Sequence, residues 1–265
     1  MVTGYSDRFS VAPGEAIAFH LGGSPGPVEA ALVRLWHGDE RSPIGLVEEE
    51  VGSALDRTLT VAERPVRRGS FALVELEEAV PVLSGHVFVQ PTAPATGRVQ
   101  GILAQGAGDR GWALTLEPGG ELALRAGSAA VRLGDPVRRD VWHSVAFTVD
   151  RRSGTLALWR RSLPDGDLTG GRASGGERTA GGGPLLVAAA ALLERAPEPR
   201  ARDTFNGKLE RPALFAGSLA DEHVAALARG RLPGDLGLQA LVDLDFAAGP
   251  EGWSIHDRCG APGRL

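Results

Sequence analysis

Several short motifs carry residue types that can do chemistry, so each is first weighed against what that chemistry needs. Gly106-Ala107-Gly108-Asp109-Arg110-Gly111 fits the glycine spacing of a dinucleotide-binding turn. That turn works only between a strand and a helix, whose N-terminal N–H groups meet the pyrophosphate. Here Trp112 opens a strand-like run, so a glycine-rich turn is expected. Gly22-Gly23-Ser24-Pro25-Gly26 fits the spacing of a nucleophilic-serine elbow. The elbow draws an oxyanion donor from the backbone N–H after the serine, and Pro25 has none. A surface turn is the better expectation. His37 and Asp39, in Trp36-His37-Gly38-Asp39-Glu40, are of the types that bind metals or shuttle protons; a strand-end turn with solvated groups is the plainer reading. Glu48-Glu49-Glu50 reads as a solvated charged run rather than a cation site. Asp243 and Asp245 alternate on a strand pattern but lack the third acid of a Glu-x-Asp-x-Glu array, which disfavours a glycosidase built on paired carboxylates. Cys259, the single cysteine, allows neither a disulfide nor a cysteine metal cage. No catalytic, cofactor-binding or metal-binding residue is therefore assigned. Trp36, His37, Asp39 and Trp112 remain as ligand or interface candidates.

These residues must be positioned by strands. Of the 265 residues, 43% are hydrophobic and the net charge is −5, which excludes a disordered composition and disfavours nucleic acid as a partner. No apolar run reaches the 18 residues of a membrane span. The opening Met1-Val2-Thr3-Gly4-Tyr5-Ser6-Asp7-Arg8 lacks a signal-peptide layout. Lys208 is the only lysine, which reads as GC-rich coding. Together these features lead us to expect a bacterial cytoplasmic protein.

Strand patterns occur at 71–76, 86–89 and 99–103. Residues 112–117 and 121–125 read as a hairpin across Pro118-Gly119-Gly120. Residues 142–150 alternate in period two, with His143, Val145, Phe147 and Val149 on one face and Trp142, Ser144, Ala146 and Thr148 on the other. Residues 155–160 return after a turn. Leu185 to Leu193 is read as a strand despite its alanines. One helix is expected from Ser218 to Arg229, capped by Ser218 and ended at Gly230, with His223 as a packing or interface histidine. The glycine-rich stretch 165–183 is read as a flexible loop. The expected whole is an all-β sandwich of two antiparallel sheets with one peripheral helix, as one domain over 1–265. In it, residues 1–60 contribute strands that complete the sheets together with the strand near Leu241–Phe246, and 61–250 form the body.

Three segments together resemble the laminin-G-like, concanavalin A-like jelly roll. They are 142–150 with 154–159; Phe205-Asn206-Gly207-Lys208-Leu209-Glu210 with Pro212-Ala213-Leu214-Phe215; and the helix that follows. Glu210 stands where the family commonly has Asp. The segments 4–15 and 32–39 resemble the opening of the large subunit of N,N-dimethylformamidase-type amidohydrolases, and 228–230 with 243–249 resemble the close of its N-terminal region. The resemblance covers nearly this whole chain but only the opening part of such a subunit. It implies an iron held by two tyrosines and a glutamate in a later domain. This chain has one tyrosine, Tyr5, so those catalytic residues map onto no position here. The implied role is a non-catalytic module that packs on the catalytic domain of the same or a longer chain, or on a small subunit. The alternative is a stand-alone lectin-like module in which Trp36, Trp112, Trp159 or Trp253 stacks on a sugar.

Overall fold

Period-two alternation makes each strand two-faced, and the computed structural model shows how the faces are used. It describes residues 2–63, 69–76, 80–106, 111–175, 182–195, 199–248, 254–259 and 263–264. The chain divides into two compact units, Met1–Arg68 and Gly69–Leu265.

In the smaller unit, six strands pair in twos. β1 (Val2–Ser6) pairs with β2 (Phe19–Gly23), β3 (Gly26–Ala30) with β6 (Arg57–Val61), and β4 (Val33–His37) with β5 (Val47–Glu50), all antiparallel. The expectation that residues 1–60 complete the sandwich's sheets is corrected: their described strands pair with one another. Within the Gly22–Gly26 segment, Ser24 and Pro25 form the bend between β2 and β3, so it is a strand connection and not a strand-to-helix elbow.

The larger unit begins with β7 (Ala72–Val74), β8 (Val82–Pro91), β9 (Gln100–Gln105), β10 (Trp112–Leu116), β11 (Glu121–Ala126) and β12 (Ala129–Pro136). It continues through β13 (His143–Asp150), β14 (Thr155–Ser162), β15 (Leu168–Ala173), β16 (Leu185–Val187), β17 (Ala191–Glu194) and β18 (Arg200–Arg202). β19 (Gly207–Ala216), α1 (Asp221–Ala228), β20 (Ala240–Asp245), β21 (Ser254–Asp257) and β22 (Gly263–Arg264) close it. One sheet runs β12-β11-β10-β9-β16-β7-β22 and the other β20-β19-β8-β13-β14-β15, with β21 joining them at one edge. β17 and β18 pair separately.

The two sheets pack face to face. Leu114, Leu122 and Leu124 of the first meet Val87, Val145, Phe147 and Leu158 of the second in one buried cluster. The expected faces of β13 are those observed: Val145, Phe147 and Val149 point into this core, while Ala146 points outward. There Ala146, Trp159 and Phe215 are covered by Leu219, Val224 and Leu227, so α1 lies on the outer face.

The helix begins later than its cap predicted. Leu219 is buried and its N–H reaches the Thr148 hydroxyl, which leaves Ser218 outside the helix. Ala220 is the N-cap residue, and its N–H donates to His223 Nδ1 at 3.4 Å. His223 thus finishes a helix end. Leu185–Leu193 splits into β16 and β17, with Ala188 between them at φ 65°.

The 165–183 loop is corrected in part, because β15 runs through it and pairs with β14. A Cβ on Gly170 would lie 2.8 Å from Trp159 Cδ1, so glycine lets this edge strand cross the indole closely. Gly176–Gly181 lie outside the described residues, as do Ala107–Arg110 of the dinucleotide-like turn.

Candidate functional site

β4 places Trp36 and Arg34 on one side of its hairpin, opposite Glu49. Trp36 is 65% exposed, and its Nε1–H donates to Glu49 Oε2 at 3.0 Å. The Arg34 guanidinium lies 5.4 Å from the indole centroid and 3.3 Å from the same carboxylate oxygen. His37, half-buried, donates from Nδ1 to the Gly45 carbonyl at 2.8 Å and so pins the connecting loop. Asp39 accepts from the Arg41 N–H at 2.9 Å in a local turn. His37 and Asp39 thus each engage a separate backbone partner.

Trp112, the fourth candidate, is a core residue. It is buried, its Nε1–H donates to Gln105 Oε1, and its ring lies 4.9 Å from that of Phe147. That corrects its reading as a ligand contact: its strand alternation turns it inward. Trp159 is buried too, and Trp253 lies outside the described residues. No pair of exposed tryptophans forms a sugar platform among the described residues.

The acidic pair is also explained. Arg258 binds Asp243 Oδ1 at 3.4 Å and Asp245 Oδ2 at 2.6 Å. Burial raises the Asp245 carboxyl, but the Arg258 hydrogen bond and charge outweigh it and hold the group below its ordinary range. Burial, reinforced by Asp245, pushes Glu210 up. Among the described residues, no group of three or more His, Cys, Asp or Glu could hold a metal ion.

A second polar group, which no motif marks, lies on the outer face under α1 where alternation places Ser144 and Thr148. There His86 Nε2 lies 2.9 Å from Ser144 Oγ, and Ser84 Oγ lies 2.8 Å from Thr148 Oγ1. Burial and the Arg211 charge lower His86 to about 3, so its ring is neutral near pH 7. The adjoining cavity, lined in part by His86, Arg211, Arg231 and Asp243, is about 10 Å³. That is room for about one water, so no substrate reaches a Ser144–His86 pair. The pair fills a sheet face with satisfied polar groups.

Against this arrangement, the sequence model of the concanavalin A-like lectin/glucanases superfamily, laminin-G type, matches residues 83–225, more than half of the chain. The chain belongs to this superfamily. The match covers most of the larger unit. The chain is also similar in fold to a carbohydrate-binding protein of Bacteroides ovatus, described there as putative, with a TM-score of 0.53 and 14% identity over 83% of this chain and 64% of that one.

Two relatives match nearly the whole chain. Both are described as N,N-dimethylformamidase beta subunits. The Paracoccus aminophilus protein is 32% identical over 95% of this chain, and the Alcaligenes sp. protein 28% over 94%. The chain spans 36% of the length of each.

The surface that stands out lies outside the superfamily match. Of fifteen exposed large apolar side chains among the described residues, twelve lie in Met1–Arg68, including Tyr5, Phe9, Phe19, Leu35, Trp36 and Ile44. Val61 is the one buried apolar residue of that unit among those described. The signal was present in the sequence as apolar residues set in Gly/Pro-rich segments without sustained alternation, but nothing there says which side of a strand is covered.

Proposed function

We propose that this chain is a non-catalytic β-sandwich module of an N,N-dimethylformamidase-like large subunit, serving to pack the catalytic part of that subunit or a neighbouring subunit. The observation that carries the reading is the inversion of burial between the units. Among the described residues, the larger unit leaves only three large apolar side chains exposed, whereas the smaller leaves twelve in solvent. Exposed large apolar side chains concentrated in one unit in this way favour a place for another surface. Two-stranded ribbons such as β4–β5 are marginal in water unless something packs on them. The two dimethylformamidase relatives support the choice of parent, since each carries further length beyond what this chain matches.

Iron enters this reading only as a property of the parent. A site of two tyrosines and a glutamate does not fit a chain whose one tyrosine, Tyr5, stacks on His20 at 4.9 Å. Purified 1–265, supplied with ferrous iron and dimethylformamide, is expected to release no formate above the buffer control. Turnover by the isolated chain overturns the reading.

A further inference from the structure

The β4–β5 hairpin presents two unlike faces. Arg34, Trp36 and Glu49 share one, where they satisfy each other. On the other, alternation places Val33 with Leu35, and the register sets Glu50 opposite Val33 and Glu48 opposite Leu35. Directly opposed residues of an antiparallel pair share a face. Leu35 is 57% exposed, and Glu48 and Glu50 are exposed beside it. The loop between the two strands also exposes Ile44, 71%, and Leu46.

We propose that this face, Val33 and Leu35 bracketed by Glu48 and Glu50, is the docking surface for an apolar patch rimmed by arginine or lysine on the remainder of the large subunit. This rests on the packing reading above and adds the surface and the chemistry of its partner. Two features select that occupant. An apolar centre gains by leaving water only if the carboxylates beside it also find partners, since a buried unpaired charge is costly. A second copy brings the same two carboxylates to a two-fold contact, and like charges brought together there oppose association. A cationic rim satisfies both requirements.

The test uses hydrogen exchange on two proteins: the 1–265 chain alone, and the Paracoccus aminophilus beta subunit carrying this chain in place of its matched residues. The β4–β5 amides should exchange at least tenfold more slowly in the longer protein. Leu35→Glu and the charge reversal Glu48→Lys/Glu50→Lys should each remove that protection. Both variants should leave the circular dichroism and Tm of 1–265 unchanged, which shows that they fold. The charge-reversal effect should shrink at high salt, as screened ion pairs do. Protection of other 1–265 segments but not of β4–β5 overturns this surface and leaves the packing reading standing. Absence of protection anywhere overturns both. Concentration-dependent protection in 1–265 alone makes a second copy the occupant and overturns the proposed partner.

Discussion

Replacing Phe147 by alanine is the sharpest perturbation of the sandwich. Phe147 is 0% exposed and belongs to the cluster shared by both sheets. Its ring meets the Trp112 ring at 4.9 Å on one side. Toward β8 it overlies Gly85, where a Cβ would come within 2.5 Å of Phe147 Cε1. Gly85 is thus the seat of the ring. β13 is paired along its whole length with both β8 and β14, so its backbone has little freedom to collapse into the space left behind. Truncating a buried phenylalanine costs about 3–5 kcal/mol, with the larger values where the site relaxes least. The lost aromatic pair accounts for about 0.5–1.5 kcal/mol of it. The upper half of the range is therefore expected. Urea denaturation of 1–265 reads it as a lower midpoint at unchanged m-value. A loss well below 1 kcal/mol would refute the assignment of Phe147 to the packed face.

Four further outcomes follow. Ile44→Ser should change the stability of 1–265 by less than about 0.5 kcal/mol, because its side chain is already in water; a urea melt checks it. Glu117→Ala should cost about 1–3 kcal/mol by the same assay, since the carboxylate is buried and takes charged hydrogen bonds from Arg125 and Arg132. His86 and His143 are lowered, mainly by burial, to about 3 and about 4. A folded pKa below the unfolded one means that the unfolded chain binds protons first. Stability is then complete above about pH 6.5 and falls below it by about 1.4 kcal/mol per pH unit for each histidine until the folded pKa is reached; melts between pH 7 and 4 check this, and a flat profile contradicts it. Burial, with Asp257 and Asp243, raises the Cys259 thiol to about 11, so iodoacetamide should modify it far more slowly at pH 8 than it modifies an unfolded-chain thiol.

Much of the sandwich was legible because its strands bury opposite faces differently. Residues 142–150 showed which side chains face the core through strict alternation, and Pro118-Gly119-Gly120 fixed the hairpin that precedes them. Ser218 has the right chemistry for a cap, but the burial of Leu219 pulls the chain onto the sheet until Ala220, so the helix starts later than the cap chemistry indicates. β15 was hidden because glycines erase periodicity, although Gly170 is what lets the strand pass Trp159. Trp112 shares a face with Leu114 and Leu116 on β10, and that alternation, not the tryptophan by itself, turns it into the core. The smaller unit was the least legible. Its strands are short and paired in twos, and an apolar residue awaiting an external cover looks the same in sequence as one that covers itself. For the candidate site, the motif exclusions needed only local chemistry: Pro25 removes a donor wherever the turn sits. The exposed face of β4–β5 needed the register.

The most direct test of a packing module with an unfinished smaller unit is native-state hydrogen exchange across 1–265 alone. Segments with few buried apolar contacts open locally at low free energy, whereas packed core strands exchange only by global unfolding. β8 and β13 should exchange at the global unfolding free energy, and β1 to β6 well below it. Equal protection of β1 to β6 with β8 and β13 would mean that the smaller unit is already fully covered, and would contradict the account.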